Sequence, residues 1–258
     1  MRILISCVLL LSLLPTGLGQ SAEQASNGAA QQPANADELM AEVFARDTQR
    51  EMIGQGYVGT RRYVFDNQRL HKHAEVTVSI RCDPDGTKHF EVVNEEGWKT
   101  ANHRILRKMI ESEAETSRPD VRPKTRLIPD NYNFALVQAE LLDGRLAYAI
   151  EVTPKREDKY LFEGRIWVDA RDYAVVRVEG KPAKNPSFWT RSIHFVHQYQ
   201  KSGDFWYPAT TESITQARIV GKTDVVIRYF DYTPNAKRQP EPSNNRKGSV
   251  QEAKYAFR

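Results

Sequence analysis

The sequence predicts an α+β fold that is mainly antiparallel β: a curved, unclosed β-barrel, or half-barrel, covered by about two helices. Three observations predict it. Hydrophobicity alternates with a period of two through most of residues 141–232, short turns of Asp, Gly and Pro chemistry join the alternating segments, and two stretches of helical spacing lie outside that run. A meander of amphipathic strands must curl to cover its apolar face, and the two helices are available to close the opening.

At the N-terminus Arg2 precedes an apolar run from Ile3 to Leu14, a break at Pro15 and the small-residue site Gly17-Leu18-Gly19 before Gln20. This is the order of a secretory signal peptide, here residues 1–19. The run is shorter than the ~20 residues a membrane-spanning helix needs, and no later segment is apolar enough. The mature chain is therefore expected to be soluble and periplasmic, with no transmembrane segment. Leu4-Ile5-Ser6-Cys7 imitates the tetrapeptide at which lipoproteins are acylated, but Cys7 lies before the hydrophobic core it would have to follow. Without the signal about 240 residues remain, enough for one domain with a single core.

Residues 20–36 are rich in Gln, Ala, Ser and Asn and carry too little apolar surface to offset their ordering entropy, which predicts a flexible polar leader. Asn35 then offers an N-cap, with Glu38 three residues on, and Leu39, Met40, Val43 and Phe44 follow at helical spacing, predicting a helix over 37–52. Strands are predicted over 57–65 and 75–82, the second with Val76, Val78, Ile80 and Cys82 on one side. Asp83-Pro84-Asp85-Gly86 supplies the turn into a partner strand at 89–93. Residues 102–115 regain helical spacing through Ile105, Leu106, Met109 and Ile110, and 116–132, charged and broken by Pro, are expected to be a loop. The hairpin 134–142, Asp143-Gly144, 145–152 has the type of turn that matches strand twist. Strands over 160–169, 173–180, 189–200, 205–216 and 220–232 complete a single domain at 37–232, and 233–258 is expected to be a loose basic tail.

The formal charge of +4 is mildly basic, which suits anionic envelope surfaces; in an exported chain it does not point to nucleic acid. Only Cys82 survives signal removal, so no intramolecular disulfide forms, and its parity with Val76, Val78 and Ile80 makes it a core thiol. His71 and His73 share one side of an extended segment but lack the further ligands of a metal shell. His194 and His197, an odd step apart on a strand, point to opposite faces. Nothing in the sequence brings Glu163, Asp169 and Asp172 together for acid–base work, and nucleophile-elbow, zinc-helix and phosphate-loop motifs are absent. The expectation is a non-catalytic protein with no cofactor and no metal.

Trp98, Trp167, Trp189, Trp206 and the many Tyr and Phe residues admit two readings, ordinary core aromatics or the lining of a lipid-sized cavity. The strand parities give a candidate lipid-binding lining of Val76, Val78, Ile80, Tyr148, Ile150, Phe162, Ile166, Ile193 and Phe195. The stretch Glu151-Val152-Thr153-Pro154-Lys155, then Tyr160 to Ala170 with Trp167-Val168-Asp169, then Tyr173-Ala174-Val175-Val176-Arg177, resembles the LolA-like family of periplasmic outer-membrane lipoprotein carriers. The resemblance covers about residues 145–232 and is architectural before that. It implies a half-barrel whose apolar interior shields the acyl chains of a lipid or lipoprotein, carried or sorted toward the outer membrane, with inner- or outer-membrane components as further partners. A buried methylene is worth ~0.8 kcal/mol, so an acyl anchor needs such a sheath to cross water. The basic residue such a family would place near the acyl head group is not assigned to Arg61 or Arg62. The other reading is an envelope interaction or sensor module that shares the fold but has a packed, ligand-free core.

Overall fold

A computed structural model describes residues 35–53, 56–202 and 205–234. The expected signal peptide, most of the polar leader and nearly all of the basic tail lie outside the described residues. Among the described residues ten strands form one antiparallel sheet. They are β1 (Tyr57–Asn67), β2 (Lys72–Cys82), β3 (Lys88–Gly97), β4 (Tyr132–Leu142), β5 (Arg145–Pro154), β6 (Phe162–Asp169), β7 (Val175–Pro182), β8 (Thr190–Ser202), β9 (Phe205–Ala217) and β10 (Gly221–Pro234). The order is β3-β2-β1-β10-β9-β8-β7-β6-β5-β4, curved and unclosed, with β3 and β4 at its edges. The first strand therefore pairs with the last, Phe65 opposite Val225 and Tyr63 opposite Ile227.

Residues opposed across antiparallel strands share a face. One rung runs Ile150, Ile166, Val178, His197, Thr211, Ile227, Tyr63, Val76. The next runs Val152, Gly164, Gly180, Phe195, Ser213, Val225, Phe65, Ala74. Both rungs are apolar at their ends and polar where they cross β9, so the inner face carries two oily halves divided by a stripe of Thr211, Ser213 and Thr215.

Each half has its own helix. α1 (Ala36–Ile53) starts where Asn35 Oδ1 accepts the Glu38 amide at 2.9 Å. Its Leu39, Met40 and Val43 are buried on Tyr148, Ile150, Ile166 and Phe195. The second cover is continuous from α2 (Lys99–Ala101) through a π turn (Asn102–Leu106) into α3 (Arg107–Ser117). Leu106, Met109 and Ile110 pack on Tyr63, Val76, Val78, Ile193 and Ile227. It begins three residues earlier than the periodicity predicts and ends two later. At that end Thr116 Oγ1 donates to the Ser112 carbonyl at 3.0 Å and Ser117 Oγ to Ala114 at 2.7 Å, so the helix continues without apolar positions. The expected loop also holds a 3-10 turn at Arg122–Lys124. β3 runs on past residue 93 because an edge strand with exposed side chains needs only the backbone ladder to β2.

The Val168-Asp169 motif earns its place at the β6–β7 turn. Asp169 accepts the amides of Arg171 (2.9 Å) and Asp172 (2.8 Å) and both Nε (2.5 Å) and Nη2 (2.9 Å) of Arg145. At the other end of the same hairpin Gly164 and Gly180 oppose each other. A Cβ at Gly164 would overlap the Glu179 carbonyl oxygen and stand 2.6 Å from Gly180 Cα. Gly164→Ala is accordingly expected to lower stability by about 1–3 kcal/mol through overpacking, measured as a lower urea midpoint.

Candidate functional site

The polar stripe continues into a buried ionic cluster beneath α3. Odd positions of β1 face inward, which places Arg61 among Tyr57, Tyr63 and Phe65 at 1% exposure. Its Nη1 lies 2.5 Å from Glu113 Oε2 on α3, its Nε donates to the Tyr232 hydroxyl at 2.7 Å, and its guanidinium lies 4.7 Å from the Tyr229 ring centre. Lys88 Nζ, at the start of β3, reaches the other carboxylate oxygen of Glu113 at 2.5 Å. Burial alone would raise the Glu113 carboxyl, but the Arg61 guanidinium and Lys88 ammonium outweigh it and hold it at about 2. Beside this cluster His197 Nδ1 bonds Thr211 Oγ1, which bonds the Tyr229 hydroxyl at 2.9 Å. Burial lowers the His197 imidazole to about 3. Its Nε2, like Ser112 Oγ, Ser213 Oγ and Thr215 Oγ1, is buried without a hydrogen-bond partner. A carboxylate fixed between two cations and an imidazole kept neutral do not supply a base poised near neutral pH. What the cluster does is tie the helix to the sheet.

At the end where β1 and β9 finish and β10 starts, an apolar cavity of about 250 Å³ opens between helix and sheet. Phe65, Trp98, Ile105, Trp189, Ile219 and Val225 form most of its wall. The Phe65 and Trp98 rings lie 5.9 Å apart, and the π turn brings Ile105 to the opening. Asn67 secures the rim: its Nδ2 donates to Val220 O (3.1 Å), Lys222 O (3.2 Å) and Thr223 Oγ1 (2.9 Å), and its Oδ1 accepts the Leu70 amide at 2.8 Å. A larger hollow of about 590 Å³ lies over β1, β2 and β3, but charged and polar side chains such as Arg81, His89 and Glu91 wall it.

The nine residues of the expected lining all face the covered side, though not one common space. Tyr148, Ile150, Ile166 and Phe195, with half-buried Phe162, pack under α1; Val76, Val78 and Ile193 pack under α3; Ile80 joins Tyr57 and Cys82. None of the nine lines the 250 Å³ cavity. Phe65 and Val225 reach it from inward strand positions, and most of the rest of its apolar wall comes from turns and the π turn, where the signal is Leu70, Trp189 and Ile219, apolar residues where turns are normally polar. His197 is buried and His194 exposed, on opposite faces as the odd spacing requires. His73 bonds Asp66 (2.8 Å) and Glu75 (3.2 Å), contacts that raise its pKa, the Asp66 bond most. Burial raises the Cys82 thiol. Glu163 pairs with Lys181 at 3.2 Å, away from Asp169 and Asp172. Among the described residues no three His, Cys, Asp or Glu side chains gather in a metal-binding group, and no helix is long and apolar enough to cross a membrane.

Fold and site together define a half-barrel with a helical cover and an apolar cavity at one end. A family of unknown function, DUF5686, matches residues 129–235. No curated protein matches the chain. Similar solved structures include a LolA superfamily protein from Nitrosomonas europaea, 10% identical, with 78% of this chain and 94% of that chain covered and a TM-score of 0.43. An outer membrane lipoprotein-sorting protein domain from Vibrio parahaemolyticus is 12% identical over 80% of this chain and 94% of that one, TM-score 0.42. A DUF1329 family protein from Desulfovibrio piger is 15% identical over 78% and 92%, TM-score 0.41.

Proposed function

We propose that this chain is a non-catalytic protein of the periplasm that takes the acyl chain of a lipid or lipoprotein into the half-barrel, for carriage or sorting toward the outer membrane. The observation that carries the reading is the apolar cavity at the open end, whose Phe65, Trp98, Ile105 and Val225 belong to the oily half under α3. At about 250 Å³ it is slightly smaller than the ~300–1,000 Å³ of ordinary ligand pockets, so it receives one acyl segment. A whole anchor needs α3 to lift from the sheet, which would add Val76, Val78 and Ile193 to the lining. The Glu113 contacts to Arg61 and Lys88 are then the clasp that holds the empty form shut. Lifting α1 would expose Tyr148, Ile150, Phe162, Ile166 and Phe195 in the same way.

Two variants test this with a fluorescent fatty acid titrated into delipidated protein. Ile105→Glu, at the cavity wall, is expected to weaken binding at least about tenfold, the cost of setting a charge where an apolar chain lies. Phe162→Asp reports on the α1 half: a comparable loss shows that the ligand reaches under α1, and none confines it to α3. Native mass spectrometry of protein taken from its periplasm is expected to show a retained lipid. No retained lipid together with unchanged binding by Ile105→Glu would favour the packed, ligand-free interaction module instead.

A further inference from the structure

The open end of the barrel carries a surface that the cavity alone does not explain. Phe188 is 74% exposed, Ile219 62%, Trp189 56% and Leu70 38%, although three of the four sit at the mouth of a cavity that could have hidden them. They come from three separate segments that the strand order brings to one end: the β1–β2 turn, the approach to β8, and the β9–β10 turn.

Their exposure is built in. The Phe188 and Trp189 rings stand edge to face at 5.5 Å. Arg218 donates from Nε to the Phe188 carbonyl at 3.0 Å and from its amide to the Trp189 carbonyl at 2.9 Å, while its guanidinium lies 4.8 Å from the Phe188 ring centre. Arg69 Nη1 donates to the Ile219 carbonyl at 3.1 Å, tying the two turns together. The backbone of the segments that carry Phe188, Trp189 and Ile219 is thus fixed by hydrogen bonds from Arg218 and Arg69.

Charge names the occupant. Residues 68–72, 182–191 and 217–222 contain Arg69, Lys72, Lys184, Arg191, Arg218 and Lys222 and no Asp or Glu. All six cations are exposed, and Lys222 shares its charge with Asp224 at 3.0 Å. An aromatic and aliphatic tip ringed by cations matches a lipid interface, where Trp and Phe settle at headgroup depth and Lys and Arg meet anionic phosphates. We infer that this end docks on an anionic phospholipid surface, inserting Phe188, Trp189 and Ile219 so that the cavity mouth faces the acyl layer. Docking stands whether or not the cavity takes a chain.

Flotation of the exported chain with vesicles tests it. Binding is expected to phosphatidylglycerol–phosphatidylethanolamine vesicles, at least about tenfold weaker to pure phosphatidylcholine, and weaker at raised salt. Phe188→Ser, outside the cavity wall, is expected to lower anionic-vesicle binding about tenfold while the fatty-acid titration is unchanged. Lys184→Gln with Arg191→Gln is expected to do the same. The basic segment beyond residue 234 is present in every chain compared, so the differences belong to the tip. Absence of vesicle binding, or equal binding by parent and Phe188→Ser, would overturn the inference, as would a dimer abolished by Phe188→Ser in place of vesicle binding. Loss of fatty-acid binding in Ile105→Glu with flotation intact would bear on the cavity alone.

Discussion

Glu113→Ala is expected to destabilise the fold by about 3–5 kcal/mol, the largest single effect among these side chains, because it leaves two cations buried with no counter-charge. Arg61 and Lys88 each have 2% of their side-chain surface exposed and each sits 2.5 Å from one oxygen of that carboxylate. Arg61 keeps the Tyr232 hydroxyl and the Tyr229 ring, but neither carries a full negative charge. Glu113→Gln keeps the shape and one acceptor and should lose less than alanine does. Replacing Arg61, Lys88 and Glu113 together by apolar residues of similar volume should come out near neutral, which would show that the cost lies in breaking the cluster and not in lacking it. Urea unfolding reads all three through the midpoint. The same carboxylate also sets an acid limit. Its pKa lies at about 2 against an ordinary 4.5, so its contribution is complete above that ordinary value and is lost as pH falls through the folded one.

Much of this was legible in local pattern. The existence of the strands follows from alternation, though ends such as that of β3 do not, the Asn35 cap follows from its side chain, and the opposite faces of His194 and His197 follow from counting. Arg61 was also legible: it shares parity with Tyr57, Tyr63 and Phe65, all of which turn inward. A charge at an inward position is a conflict that pattern alone cannot resolve, because its partner Glu113 is 52 residues away and reaches it only after the helix has folded over β1. The pairing of β1 with β10 is hidden for the same reason; no turn chemistry announces a contact between Phe65 and Val225. The cavity escaped because Leu70, Trp98, Ile105, Trp189 and Ile219 come to it from turns and a π turn, where a reading by strand parity or a 3.6-residue period has nothing to follow, and its strand residues Phe65 and Val225 meet only through the β1–β10 pairing.

His197 provides the second large effect and a probe of the stripe itself. Burial lowers its pKa from 6.5 to about 3, with the approach of Arg61 and Lys88 adding to the shift and Glu113 opposing it. Below the ordinary value the unfolded chain binds a proton that the folded chain refuses, so stability should fall by about 1.4 kcal/mol per pH unit as pH drops from about 6.5 toward the folded pKa. Glu113 makes no contribution to the slope until the pH reaches its own ordinary value near 4.5, so the interval above that isolates the histidine from it. His73 works the other way: the Asp66 bond raises its pKa, so its small exposed contribution is present at low pH and lost as pH rises. His197→Gln retains a partner for Thr211 and should remove the His197 slope, seen as matching urea midpoints at pH 7 and pH 5 where the parent protein loses stability. If parent and variant lose stability equally over that interval, the imidazole accepts its proton in the folded state. The unpartnered Nε2, Ser213 and Thr215 would then face water and not a dry seam. In that case α3 rests on a hydrated stripe, and the clasp at Glu113 must hold the cover with less help from the apolar halves.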